Sequence, residues 1–354
     1  MFNEILKEVR LNISTIRAII QTNDRLRNIA FEKSDLTFQE LIKQNTVLNQ
    51  LIEGVPRDRS EWRIYDSCTV MTRLYAIYEH FIEELIGDYL LEISKLFTYA
   101  ELPDKIKNTH REGVGRLLVE MKKNRFQHLS TAQVIRGLFY GVTEDSQISN
   151  PVNSYELFPE AFLLHDQNLR GDILNSLFAN IGITDVWNWI KKNRDIKKFV
   201  ADEVSNTPPD TVLNELISYR NEAAHGFVET ILNSKDLLKY GDFLEILCQA
   251  LAELLTYQII KRKTEIGKAK EIGKITDWFK KPNAAIALVK ETSLSVGDSL
   301  FAVSENSAYC SLVIIESIKI DDKSTNYVEI TTESEVGLQF NIDAKKGLSL
   351  YVMT

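Results

Sequence analysis

A chain of 354 residues with 44% hydrophobic side chains can bury two cores, which excludes wholesale disorder. The net charge of -8 argues against a generally nucleic-acid-binding surface, so any RNA or DNA contact must use local basic patches. The three cysteines, Cys68, Cys248 and Cys310, are scattered and odd in number, which points to reduced thiols in a cytoplasmic compartment rather than a disulfide framework.

Charges run through the first twenty residues, so no secretory signal is expected. No stretch offers 18 uncharged apolar residues, so no membrane span is expected. Residues 2 to about 53 read as two helices. Phe2, Ile5, Leu6, Val9, Ile13, Ile16 and Ile20 recur at helical spacing, and Leu36, Phe38, Leu41, Ile42, Leu48 and Leu51 follow. Gly54 and Pro56 end the pair. Ser60 opens the longest helical pattern, to about Phe97, with Gly87 as the expected bend. At 1.5 Å per residue it spans ~57 Å, the length of a bundle's central rod or a dimer element.

From 99 to 165 the pattern weakens, with short helices near Gly115–Met121 and Thr131–Phe139 and turn composition over Thr143–Asn153. Helices follow at Asn168–Ile181, Val186–Lys191 and Asp195–Val204. After Pro208 and Pro209, Val212, Leu213, Leu216, Ile217 and Tyr219 make an amphipathic helix, Tyr219 being read as a packing residue. Gly226 is its stop signal. A long helix runs from about Ser234 to Lys263, and the charged stretch after it, with Glu-Ile-Gly-Lys twice, reads as a helix tail or linker. From Ala284 about six short β-type runs suggest a small antiparallel barrel. The expected domains are 1–281, helical, and 284–354, barrel.

No phosphate-binding loop of the glycine-lysine-serine/threonine type is present, and Gly113 and Gly115 lack a preceding strand and a third glycine. No cysteines sit at metal spacing, so neither a metal site nor a cofactor is expected. His80 and Glu84 share a helix face, but a surface ion-pairing histidine is the simpler reading. His110, His128 and His165 stand alone as surface or core histidines.

The segment Arg220-Asn221-Glu222-Ala223-Ala224-His225-Gly226 is different. The bland reading is a helix end where Arg and His complement the dipole. The alternative is RNA cleavage by 2′-OH attack, which needs a base, an acid and positive charge on the phosphate. Histidine moves protons near neutral pH and arginine grips phosphate oxygens with a planar fork. Residues five apart on a straight helix stand ~140° apart, so Arg220 and His225 do not share a face. Either the helix breaks before His225, or the site is assembled from two copies of the segment.

Arg, a polar residue, three more residues and His at a helix end, in the wording LISYRNEAAHG, resembles the HEPN superfamily of ribonucleases. RLYAIYEHFIEELIGDYL and the Asn168–Gly182 segment extend the likeness over roughly residues 60–260, toward the bacterial branch linked to toxin–antitoxin and phage-defence loci. In that superfamily four to six residues separate the arginine from the histidine; here Asn221 to Ala224 make four. The resemblance implies an all-helical domain and a metal-independent endoribonuclease acting as a homodimer, with transfer RNA or another structured RNA as substrate. By analogy His225 is the acid/base, Arg220 the phosphate contact and Asn221 a positioning residue, with Glu79 as a supporting polar group. The non-enzymatic alternative is a dimerising HEPN scaffold.

Three basic clusters are candidates for guiding RNA: Lys191, Lys192, Arg194, Lys197 and Lys198; Lys261, Arg262, Lys263, Lys268, Lys270 and Lys274; and Lys122, Lys123 and Arg125. The C-terminal segment is similar to the β-barrel second domain of translation GTPases. Residues 285–354 carry ten acidic and five basic side chains, so the barrel is expected to contact a protein, such as an antitoxin, rather than RNA. The fold class expected is α+β in two domains, a HEPN-type bundle followed by a small antiparallel barrel.

Overall fold

The computed structural model describes residues 1–31, 44–123, 126–142, 155–165, 167–226 and 228–354. The expected apolar series from Leu36 to Ile42, the turn-like stretch Thr143–Asn153 and the basic Arg125 lie outside the described residues. The helical part comprises α1 (Asn3–Phe31), α2 (Thr46–Glu53), α3 (Arg59–Leu96), α4 (Asp104–Glu120), α5 (Thr131–Val142), α6 (Pro159–Phe162), α7 (Gly171–Asn180), α8 (Val186–Lys192), α9 (Arg194–Glu203), α10 (Pro209–His225) and α11 (Ser234–Glu265).

The long helix α3 begins one residue before the expected Ser60. Its cap is Asp58, whose carboxylate accepts from the N–H groups of Ser60 (2.7 Å) and Glu61 (3.0 Å). It runs through Gly87, the expected bend, as one helix, and Pro159 of α6 packs beside that glycine. Its apolar stripe from Val70 to Ile93 is buried against α1, α10 and α11.

The centre of the bundle is α11. Leu244, Leu247, Leu251, Leu255 and Ile259 are fully buried, and so are residues on its other faces, such as Phe243, Cys248 and Ala250. A helix that is apolar all round must be covered all round. By length and mean hydropathy α11 is long and apolar enough to cross a membrane, although charged residues interrupt it, and 72% of its most apolar window is buried inside the protein.

Where α1, α3 and α11 meet, a polar knot replaces apolar packing. Arg27 is 4% exposed and Asp66 7%. Arg27 Nη1 pairs with Asp66 Oδ2, and Asn23 Nδ2 donates to Asp66 Oδ1 at 2.8 Å. Arg27 Nη2 donates to Ser234 Oγ at 3.1 Å, and the guanidinium lies 5.5 Å from the Trp62 ring centroid.

The second domain is all antiparallel. Strands β4 (Ser299–Ser304), β9 (Ser349–Met353), β1 (Ala269–Phe279), β2 (Ala284–Val289), β8 (Ser334–Phe340) and β5 (Tyr309–Ile320) pair in that order, and β5 closes on β4. A closed six-stranded barrel results, in keeping with the resemblance drawn for this segment. A short β6 (Lys323–Thr325) extends β5, and β3 (Thr292–Ser295) pairs with β7 (Tyr327–Ile330) apart from it.

The expected boundary near 282 is too late, because the barrel starts at Ala269. The stretch read as helix tail or linker ends its helix at Glu265 and then becomes β1, which pairs with both β2 and β9. Its outward residues are Lys270, Glu271, Lys274 and Asp277, so it reads as charged, while Ile272, Gly273 and Ile275 face the core. Gly273 is required there: a Cβ would stand 2.2 Å from the carbonyl oxygen of Leu288.

Helices and barrel share a core. Phe301, Val303, Ala308 and Cys310 pack into the helical cluster, and the rings of Trp189 and Tyr257 stack at 5.2 Å beside them. Asn193 Nδ2 donates to the Ala308 carbonyl at 3.1 Å and to Glu253 Oε2 at 3.2 Å, and Gln249 donates to Glu253 Oε1 at 2.8 Å.

Burial raises the Glu253 carboxyl from its ordinary 4.5 to about 7, against the lowering effect of its hydrogen bonds from Gln249 and Asn193. A raised folded-state value means that Glu253 contributes stability below pH 4.5 and loses it as pH rises through about 7. The loss should approach roughly 3 kcal/mol from this group. Urea unfolding at successive pH values should show this slope in the wild type and a flatter one in Glu253→Gln; equal slopes would place the titration elsewhere.

Candidate functional site

The motif helix α10 starts at Pro209, whose missing N–H costs nothing in the first turn, and packs along α3 and α7. Val212, Leu213, Leu216 and Ile217 are its buried face. Tyr219 packs edge-on against Tyr240 of α11 at 5.8 Å, as the packing reading of Tyr219 expects. The helix does not break before His225. It continues through that residue and stops at Gly226, whose φ of 72° and ψ of 11° make a left-handed cap that glycine adopts without strain. The Gly226 N–H donates back to the carbonyls of Ala223 and Glu222. His225 is exposed at this end.

Arg220 is half-buried and turned the other way. Its guanidinium carbon lies 4.6 Å from the ring centroid of Tyr75, on α3. A cation over an aromatic face is stabilised without being neutralised. Nη1 donates to Asn168 Oδ1 and to Asn221 Oδ1, both at 3.2 Å. Asn168 Nδ2 donates to Asn221 Oδ1 at 2.9 Å, so the two amides are locked together with their oxygens toward the arginine. Nε has no hydrogen-bond partner. Among the described residues no carboxylate forms an ion pair with Arg220.

Glu79 belongs to the same assembly, one step removed. Its Oε1 accepts the Tyr75 hydroxyl at 2.9 Å, and that hydroxyl in turn accepts the Leu169 N–H at 3.2 Å. Burial pushes the Tyr75 phenol up to about 12, with Glu79 acting in the same direction and the Leu169 N–H against it.

The structure thus brings Arg220, Asn221 and Glu79 together and adds Asn168 and Tyr75, which sequence reasoning missed. Asn168 was expected inside a helix over Asn168–Ile181. The helix starts at Gly171, whose N–H is capped by Asn214 Oδ1 at 3.1 Å, leaving Asn168 on the preceding loop. The signal for Tyr75 was its i, i+4 spacing to Glu79 on one helix face.

His225 does not join this cluster within one chain. Five helical residues put it ~7.5 Å further along the axis and ~140° around it. The basic clusters are also apart. Lys191 pairs with Asp210 at 3.2 Å, at the opposite end of α10. Arg194 pairs with Asp195 (3.1 Å) and with Asp343 of the barrel (3.0 Å), so it ties the two domains. Lys192, Lys197 and Lys198 lie on the same two helices, α8 and α9. Lys261, Arg262 and Lys263 lie at the far end of α11, ~32 Å beyond Tyr240 at 1.5 Å per residue. Lys270 and Lys274 lie on β1 of the barrel, and Lys268 immediately precedes it. Lys123 pairs with Glu120, and Lys122 is exposed.

The remaining histidines have ordinary surroundings. His110 is buried between the Phe158 and Phe162 rings, its Nε2 accepts the Phe158 N–H at 3.3 Å, and burial lowers its pKa to about 4. His128 pairs with Glu160 at 2.8 Å, His165 Nδ1 donates to the Gln167 carbonyl at 2.6 Å, and His80 and Glu84 are exposed. Among the described residues no group of three or more His, Cys, Asp or Glu side chains is arranged to hold a metal ion.

No curated protein matches this chain. The family model described as RiboL-PSP-HEPN matches residues 27–257, more than half of the chain and nearly the whole helical part, with Arg220 and His225 inside it. HEPN domains are generally RNase-like, which gives the functional class as nuclease or nucleotide-related. The chain belongs to the RiboL-PSP-HEPN family.

Proposed function

We propose that this protein is a metal-independent endoribonuclease that works as a homodimer. The observation that carries the reading is Arg220: a half-buried guanidinium, fixed by a ring and two amide oxygens, with no carboxylate partner among the described residues. Holding a charge there without a counter-charge is unfavourable unless an anion completes it. A phosphodiester fits that need.

In the reaction, the 2′-hydroxyl loses its proton and its oxygen attacks the adjacent phosphorus. The bond to the 5′-oxygen breaks, and that oxygen takes a proton. The products are a 2′,3′-cyclic phosphate and a 5′-hydroxyl. Arg220 stabilises the charge that develops on the phosphate, and His225 moves the protons. Because the two residues point apart on one helix, the working site draws on the motifs of two chains. Structured cellular RNA, such as transfer RNA, is the proposed substrate, and a toxin or phage-defence effector the proposed role. The acidic barrel would contact a protein partner.

A second reading, a dimerising HEPN scaffold without catalysis, is favoured by one observation: the exposed His225 makes no convergent site with Arg220 in a single chain. One experiment separates the two. Cellular RNA incubated with the full-length protein in EDTA should acquire cyclic-phosphate ends, and His225→Ala should lower the rate by at least ~10²-fold with its fold intact by circular dichroism. Cleavage that stops in EDTA, or that survives in His225→Ala, would overturn the nuclease mechanism. Absence of cleavage by the wild type leaves the scaffold.

A further inference from the structure

We infer that Tyr75 and Asn168 are the positioning residues of Arg220, with Tyr75 acting through two separable parts of one side chain. The inference rests on Arg220 being the phosphate contact. The ring of Tyr75 lies under the guanidinium. Its hydroxyl accepts the Leu169 N–H at 3.2 Å, while the Leu169 carbonyl accepts the Tyr78 hydroxyl at 3.1 Å. Both polar backbone groups of Leu169 are therefore held by tyrosines of α3. Asn168, one residue earlier, is set by that anchorage against Arg220 and Asn221.

The charge arrangement gives this anchorage a purpose. Glu79 is the carboxylate tied into the network, and the Tyr75 hydroxyl engages it at 2.9 Å. The groups that touch Arg220 directly are neutral: one ring and two amide oxygens. They orient the guanidinium and leave its charge for a phosphodiester. A carboxylate at position 168 would still accept from Nη1 but would cancel that charge, and it would give up the donation that Asn168 Nδ2 makes to Asn221 Oδ1.

Asn168→Asp is therefore the decisive variant, since it is nearly isosteric and places an anion at Nη1. In the full-length protein it should lower RNA cleavage by ~100-fold or more while its melting temperature stays above that of Asn168→Ala, because the ion pair with Arg220 offsets the lost donation to Asn221. Asn168→Ala should melt lower yet lose only ~10-fold in rate. A merely structural asparagine would give the reverse order. Tyr75→Phe keeps the ring and removes the anchor, so kcat should fall ~10-fold with KM nearly unchanged; Tyr75→Leu should lose more.

A second measurement keeps this inference distinct from the nuclease reading. Binding of a short fluorescein-labelled DNA oligonucleotide, which lacks the attacking 2′-hydroxyl, is followed by anisotropy in EDTA at several salt concentrations. Asn168→Asp should weaken it and lower the salt slope by about one phosphate. If the wild type cleaves RNA and Asn168→Asp cleaves equally well, the positioning role falls and the nuclease reading stands. If the wild type binds the oligonucleotide, Asn168→Asp does not, and neither cleaves RNA, the nuclease reading falls and the positioning role stands. Equal binding without cleavage overturns both.

Discussion

Replacing Arg27 with alanine should destabilise the protein by about 3–5 kcal/mol, because it leaves the Asp66 carboxylate buried without its counter-charge. Asp66 is 7% exposed, and its other polar contact is the neutral amide of Asn23. The pair's own net worth is a separate matter. Taking two charges out of water costs about as much as their attraction returns, so Arg27→Met with Asp66→Leu should be far less harmful than Arg27→Ala alone. Urea unfolding of the three proteins reads both effects. A small loss in Arg27→Ala would mean that water reaches Asp66. The knot joins the end of α1, the first turns of α3 and Ser234 at the start of α11. The same helix α3 packs along the motif helix α10.

What could be read from sequence depended on whether the signal was local. The apolar stripe of α3 marked it over 60–97 against the observed Arg59–Leu96, and Gly226 marked the end of α10 to the residue. Strands rich in apolar and β-branched residues, such as β4 and β5, fall among the short β-type runs expected after Ala284. β1 was lost because register shifts between Glu271 and Gly273 and between Ile275 and Asp277 break its alternation. It also follows directly on the charged end of α11. In the site, Arg220, Asn221 and His225 were legible as residue types gathered at a helix end. Asn168 was not, since its partners Arg220 and Asn221 lie 52 and 53 residues away. Nothing near Asn168 in sequence announces that contact, and its own segment looks helical. Tyr75 was hidden for a related reason, as one more aromatic on a helix that buries many.

Mixing Arg220→Ala chains with His225→Ala chains should restore cleavage that neither variant has alone. Each substitution should lower the rate by ~10² to 10³-fold, since one removes charge stabilisation and the other proton transfer. After unfolding and refolding together at equal concentration, about half of the dimers pair one variant with the other. Such a dimer holds one intact Arg220 and one intact His225, on different chains. A site shared across the two-fold axis then regains a working combination, and the mixture should recover a measurable fraction of wild-type rate. A site contained within one chain regains nothing, because neither chain carries both residues. The unbroken course of α10 is the reason to expect the first outcome. Had the helix broken before His225, the imidazole could have folded back toward the guanidinium. With helical geometry kept to Gly226, the ~140° between the two side chains stays, which is why the proposed site takes its histidine from a second chain. Absence of recovery in mixed dimers verified by light scattering would sink the shared site and leave α10 as a helix end that complements its own dipole.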